Sequence, residues 1–394
     1  MKVLYIAHSS ELQGAGFALL NILRGMLDNN IEPVLFLPRK GPISEFADKE
    51  GIKCYFSHCR NAVYPKINTK RDYLLFPIRL LRILGCNYYG KKKLSKIVSI
   101  EKPDLIHSNT GVIHFGYEIS KKYSIPHIWH IRELLDLGLG WQPIGGHKSY
   151  IRKLSDANNY CIAITKSVFE HHKLDTVKDV VIYDGVYDNK VCNSVIDYQK
   201  SDYFLFVGVL TKAKGVFDAI DAFCEIAKEN PNIRLKLAGL DNEHVAEYVS
   251  KTSCKERIEL LGFRKDIYTL MRKAKALIVP SFFEGFGFIT AEAMANGCLV
   301  IGRDTAGTKE QFDNGNEFAG KEIGLRFNDK NGLIVQMKRA MNMSQLELTD
   351  LIDSAQIISR RYTIDNNTKN IIAYYKQVIE KQDKIIESCK REQE

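Results

Sequence analysis

Two carboxylates set around a glycine turn carry the clearest chemistry in this chain. They lie in Ser281-Phe-Phe-Glu284-Gly285-Phe286-Gly287-Phe288-Ile289-Thr290-Ala291-Glu292. The preceding run, Ala276-Leu-Ile-Val-Pro280, is apolar and β-branched and reads as a buried strand of a parallel sheet, so the turn falls at the carboxyl end of a strand. Ile289 to Ala295 is rich in helix formers and stops at Asn296-Gly297, which leaves Glu284 in the loop and puts Glu292 on a helix. A helix start from Gly287 to Ile289 aims unpaired N–H groups and the positive end of the helix dipole at the strand end, which favours a phosphate. Carboxylates hold phosphate poorly but accept hydrogen bonds from hydroxyl groups well. Hydroxyls and phosphate together specify a sugar nucleotide. A plain strand–turn–helix joint with two solvated glutamates is the alternative on spacing alone.

This segment resembles the Glu-x7-Glu motif of the retaining, group-one (family four) glycosyltransferases of the GT-B fold, and Asn296-Gly297-Cys298-Leu-Val-Ile301 and Gly307-Thr308-Lys309-Glu310 continue the pattern. Phe204-Leu-Phe-Val-Gly208-Val-Leu-Thr-Lys212-Ala-Lys214-Gly215 is similar to the family's strand and basic turn that hold the donor diphosphate. Ile182-Tyr-Asp184-Gly185-Val186 resembles its interdomain strand, and Ile258-Glu-Leu-Leu-Gly262-Phe-Arg264 its base-side strand and loop. His127-Ile-Trp-His130-Ile-Arg132-Glu133 resembles the segment carrying an active-site histidine. The resemblance implies that Glu284, His130 and Lys214 are catalytic. It implies a donor site formed by Gly208, Lys212, Lys214, Gly262, Arg264, Glu284, Gly285, Phe286, Gly287, Phe288 and Glu292. Gly14 and Gly16, in the turn after the first strand, are then expected to face the acceptor and the diphosphate. A dinucleotide fingerprint would need its third glycine where Leu19 stands. The chain departs from the family at Val209, where the diphosphate arginine is usual.

The elements that must position these residues alternate twice over. Strands are expected at residues 3–7, 33–37, 53–56, 104–108, 127–131, 160–165 and 180–183, then at 203–207, 234–238, 258–261, 276–280, 299–301 and 324–327. Helical stretches such as 17–27 and 216–228 lie between them. The fold class is therefore α/β, two Rossmann-like domains whose parallel sheets face across a cleft. Residues 1–186 form the acceptor-side domain, 187–201 a polar linker containing Asn193, and 202–364 the nucleotide-sugar domain. Residues 365–394 supply a helix, which the resemblance carries back to the first domain, and a polar tail expected to fray.

A chain of 394 residues with 45% hydrophobic content suffices for two cores. Nine cysteines without a Cys-x-x-Cys pair read as reduced thiols of a cytosolic protein. The amino terminus lacks a signal-peptide pattern, and no apolar run is long enough to span a bilayer. The expected location is cytoplasmic, with a peripheral station on the inner face of the membrane open to it. The net charge of +9 is concentrated between residues 60 and 100, where ten basic residues face one acid, Asp72. There, Tyr73-Leu-Leu-Phe-Pro-Ile-Arg79-Leu-Leu-Arg82-Ile-Leu84 fits a helix in an anionic membrane interface and equally a core-facing helix with solvated arginines. Nothing matches a nucleic-acid module.

The chemistry expected is metal-independent transfer of a sugar from a nucleoside-diphosphate sugar, a UDP-sugar favoured over a GDP-sugar, to a glycan or lipid-linked acceptor in envelope or capsular polysaccharide synthesis. No cofactor is expected, and no Asp-x-Asp metal clamp occurs in the chain. A sugar-nucleotide epimerase on the same fold and a noncatalytic subunit binding glycan or membrane remain as alternatives.

Overall fold

Each sheet grows from runs that are apolar on both faces. In Lys2–Ile6, for example, Val3 to Ile6 are wholly buried, as a strand covered by helices on both sides requires. The computed structural model describes residues 1–137, 140–192 and 196–391, with the backbone alone beyond residue 384. Asn193 of the expected linker and the last three residues of the expected tail lie outside the described residues. The chain divides into two compact units, Met1–Gly185 with Ile364–Glu394, and Val186–Thr363.

The strands of the first unit are β1 (Lys2–Ile6), β2 (Glu32–Leu37), β3 (Lys53–Phe56), β4 (Val63–Pro65), β5 (Leu105–Ser108), β6 (His127–Ile131), β7 (Trp141–Pro143), β8 (Asn159–Ala163) and β9 (Val180–Val181). Seven of them form one parallel sheet in the order β3-β2-β1-β5-β6-β8-β9. β4 and β7 pair antiparallel, an addition that was not expected. The core joins Val3, Tyr5, Leu19, Leu23, Leu35 and Ile128 to Ile371, Tyr374 and Tyr375 of the last helix, Ile364–Arg391. That helix lies on helix Gly14–Asp28 so closely that a Cβ on Gly25 would stand 1.9 Å from the Thr368 hydroxyl oxygen. The Tyr375 hydroxyl is 2.6 Å from His107 Nδ1 and 3.2 Å from the Tyr5 hydroxyl. The helix continues to Arg391, and the sequence after Lys384 holds no Gly or Pro to stop it.

The second unit contains β10 (Tyr203–Val207), β11 (Arg234–Ala238), β12 (Ile258–Gly262), β13 (Ala276–Val279), β14 (Val300–Arg303) and β15 (Leu325–Phe327). All are parallel, in the order β12-β11-β10-β13-β14-β15, so the winding reverses between β10 and β13. Its core gathers Phe204, Phe206, Ile220, Phe223, Leu235, Ile278 and Ile301. The segment expected as a linker is tied to this unit. The Tyr187 hydroxyl donates to the Ser359 carbonyl at 2.7 Å, and Lys200 Nζ donates to the carbonyls of Arg272 and Gly297, each at 2.8 Å.

One expectation is corrected here. Cys224 and Cys254 form a disulfide, their Cα atoms 5.6 Å apart, where nine reduced thiols were expected. The two are 30 residues apart, so only the folding of helix Val216–Ala227 against the turn before β12 reveals the pair.

Candidate nucleotide-sugar site

In a doubly wound sheet the crevice outside the carboxyl ends of the strands, at the reversal, is where ligands bind. In the second unit that place is the end of β10 and the end of β13, and two loops meet there. The loop after β10 turns at Gly215, which has φ +73° and opens helix Val216–Ala227. A Cβ on Gly215 would stand 2.3 Å from the Pro280 carbonyl oxygen, so glycine is required both for the backbone angle and for the close approach. The Phe282 N–H donates to the Ala213 carbonyl at 3.2 Å and locks the loops together. Across this joint Lys214 Nζ donates to Glu284 Oε1 at 2.7 Å. The lysine is half-buried and the carboxylate more so.

The turn that carries Glu284 is held from behind. The Gly307 N–H donates to the Glu284 carbonyl at 2.9 Å, and a Cβ on Gly307 would stand 2.4 Å from the Phe286 carbonyl oxygen. Gln311 Nε2 donates to the Phe286 and Gly287 carbonyls, at 2.6 and 3.1 Å. Arg303, at the end of β14, donates from Nε to the Pro280 carbonyl at 3.0 Å and from Nη2 to Asp218 Oδ2 at 2.6 Å, while its guanidinium lies 4.3 Å from the centre of the Phe282 ring. Helix Phe288–Ala295 then starts from Gly287, whose φ of +89° is left-handed. Sequence reasoning missed Gln311 and Arg303 because they act on backbone carbonyls far away in the chain, and no local pattern marks such a role.

The remaining donor-site candidates divide. Glu292 sits on this helix and accepts from the Tyr268 hydroxyl at 3.2 Å. Burial pushes its carboxyl up to about 7, and the tyrosine's hydrogen bond pulls it back in part. Gly208 has φ +145° at the end of β10, with open space where a Cβ would be. Val209 beside it is 40% exposed. Lys212 contributes its backbone N–H, bound to Glu243 Oε2 at 2.7 Å. Gly262 has φ +63°, and Arg264 is paired in bidentate fashion with Asp266, at 2.8 and 2.6 Å. Phe286 is buried and packs edge-on against Tyr362, with ring centres 5.1 Å apart, whereas Phe288 is partly exposed. The structure thus joins Lys214, Glu284 and the Gly285–Phe288 turn, and places Arg264 in an ion pair of its own.

In the first unit the sheet reverses between β1 and β5. After β1, helix Gly14–Asp28 begins, and a Cβ on Gly16 would stand 2.1 Å from the Glu11 carbonyl oxygen; Gly14 has open space around it. His130 lies within β6, fully buried. Its Nδ1 is 3.3 Å from His107 Nε2 and 3.2 Å from an Arg132 terminal nitrogen. Burial and the Arg132 charge hold its pKa well below the usual histidine value, so the ring is neutral. Arg132 pairs with Asp184 and donates from Nε to the Asn109 carbonyl at 2.9 Å. Glu133, just past β6, accepts from the Gly111 N–H at 3.0 Å, and burial pushes its carboxyl up to about 7. Sequence analysis gave Glu133 no role. Among the described residues no group of three or more His, Cys, Asp or Glu is placed to hold a metal ion, and no helix is long and apolar enough to cross a membrane.

Residues 193–370 match the family model for Glycosyl transferases group 1. An uncharacterized glycosyltransferase of Methanocaldococcus jannaschii is 29% identical over 300 residues, covering 74% of this chain and 77% of that protein. Among solved structures, HepE of Anabaena in complex with UDP superposes with a TM-score of 0.73 at 19% identity, covering 96% of this chain and 100% of HepE. WaaG, a glycosyltransferase involved in lipopolysaccharide biosynthesis, does so with a TM-score of 0.65 at 12% identity over 94% of this chain and 98% of its own. The fold is that of the GT-B glycosyltransferases, and the match over residues 193–370 supports a group 1 glycosyltransferase.

Proposed function

We propose that the protein is a retaining, family-four glycosyltransferase that moves a sugar from a UDP-sugar to a glycan or lipid-linked acceptor, in the cytoplasm, during cell-envelope or capsular polysaccharide synthesis. The observation that carries this reading is the Lys214–Glu284 pair, 2.7 Å apart, at the strand ends where the second sheet reverses. HepE, a structural neighbour, has been solved with UDP and with UDP-glucose, which favours uridine as the base.

In this reading the diphosphate lies against the N–H groups that begin helix Phe288–Ala295, with Lys214 as the fixed cation for the departing charge. Lys212, an exposed residue, turns toward the phosphates and supplies charge where Val209 replaces the usual arginine. Glu284 accepts from donor-sugar hydroxyls and holds Lys214 in place, and Glu292 accepts from the ribose hydroxyls. Gly208, Gly262 and Arg264 border the nucleotide, while the roles of Gly14, Gly16 and His130 follow from the family resemblance. The bond from the anomeric carbon to the phosphate oxygen breaks and the acceptor oxygen bonds to that carbon on the same face. The acceptor proton passes to a donor phosphate oxygen, and UDP leaves.

The test is transfer of labelled sugar from a panel of UDP- and GDP-sugars to glycan and lipid-linked acceptors, with the anomeric configuration of the product read by NMR. Retention with a UDP-sugar, undiminished by EDTA, is expected. Inversion, or loss of transfer on chelation with recovery on adding magnesium or manganese, would overturn the mechanism. Conversion of a donor to its epimer without acceptor would point to an epimerase.

A further inference from the structure

The long helix Lys70–Glu101 presents two different faces. One is fixed. Ile83, Leu94, Ile97 and Val98 are buried, and the carboxyl end is clamped where Glu101 accepts from the Tyr55 hydroxyl at 2.6 Å and pairs with Lys2 and Lys53, each at 3.2 Å. Lys91 also pairs with Glu118, and Thr69 caps the amino end by accepting from the Asp72 N–H at 3.1 Å.

The opposite face is open. Leu74, Ile78, Leu81 and Tyr88 recur at spacings of four, three and seven residues, which puts them on one stripe, and they are between 56% and 74% exposed. The same stripe continues into Lys92 and Lys96, and Arg71, Arg82 and Lys93 flank it. None of these five cations makes an ion pair among the described residues. A monomer gains nothing by leaving four large apolar side chains in water beside unpaired cations unless something covers them.

We propose that this face docks the protein on the surface of an anionic phospholipid bilayer. Leu74, Ile78, Leu81 and Tyr88 enter the headgroup boundary, and Arg71, Arg82, Lys92, Lys93 and Lys96 meet lipid phosphates. The helix lies on the membrane and does not cross it, since no described helix is long and apolar enough to span. A second copy of the chain fits less well, because pairing two such faces would bring like charges together with no acids to offset them. The inference does not depend on the transferase reading.

Flotation of the full chain with vesicles of phosphatidylcholine, with and without phosphatidylglycerol, tests it. The protein is expected to float with the anionic vesicles, to stay behind with the neutral ones, and to be released by salt. Lys92→Ala/Lys96→Ala should weaken partitioning roughly thirtyfold, the two lysines sharing equally in the attraction to the anionic surface. Leu74→Ser/Leu81→Ser should weaken it by roughly tenfold or more. Both pairs are exposed, so circular dichroism and any nucleotide-induced thermal shift should be unchanged. Equal binding to neutral vesicles, or anionic binding that ignores both variants, would overturn the proposal. So would a solution dimer dissolved by Leu74→Ser/Leu81→Ser with no vesicle binding, which would assign the face to a second copy. Should the serine variant misfold, the salt dependence and the lysine variant decide alone.

Discussion

The buried carboxyl of Glu292 yields a prediction of definite sign. Its pKa is raised to about 7, so between the ordinary carboxyl value and about 7 the folded chain keeps a proton that the unfolded chain has released. Its contribution to stability is therefore lost as pH rises through that window. Glu292→Gln should melt near the wild-type temperature at about pH 5 and above it at about pH 8, a gap that thermal unfolding at the two pH values would detect. Lys214 is tested differently. As the fixed cation beside Glu284, its replacement by alanine should lower kcat by roughly 10²- to 10³-fold, measured with saturating donor. The turn and helix that carry the two glutamates, and the turn that carries the two lysines, were legible because each has a local signal. Their pairing was not, since Lys214 and Glu284 are 70 residues apart and only the winding of the sheet joins them. Gln311, Arg303, Tyr268 and Glu133 were illegible for the same reason.

Among the elements, the strands were legible wherever burial on both faces leaves a short apolar run, as in β1, β10 and β13. The β4–β7 pair was not, because Val63-Tyr-Pro and Trp141-Gln-Pro are too short to show a period. Helix Lys70–Glu101 carries apolar residues on both sides, and its periodicity could not tell which side meets the core. The loops at the candidate site depend on Gly215 and Gly307, where a Cβ would stand 2.3 and 2.4 Å from a backbone carbonyl oxygen. Gly215→Ala must accept both a left-handed φ and a Cβ 2.3 Å from the Pro280 oxygen. A loss of ~1–3 kcal/mol in chemical denaturation is expected, with weaker nucleotide binding because the Lys214 loop is displaced.

For the whole molecule, the chain passes out of the first unit at Gly185 and returns at Ile364, so the first core is completed by a segment distant in the chain. Removing residues 364–394 would uncover Tyr5, Leu19 and Leu23 and take Tyr375 from His107. Limited proteolysis of that truncation should digest the first unit while the second, whose core is its own, resists. The central claim, that the second unit binds a nucleoside-diphosphate sugar through Lys214, Glu284 and Glu292, is tested most directly by calorimetric titration. UDP, GDP, ADP and their sugar conjugates would be titrated into the wild type, Lys214→Ala and Glu292→Gln. The account predicts that a UDP conjugate binds the wild type and that each substitution weakens it by about tenfold or more. No binding of any nucleotide, or binding that neither substitution changes, would contradict it.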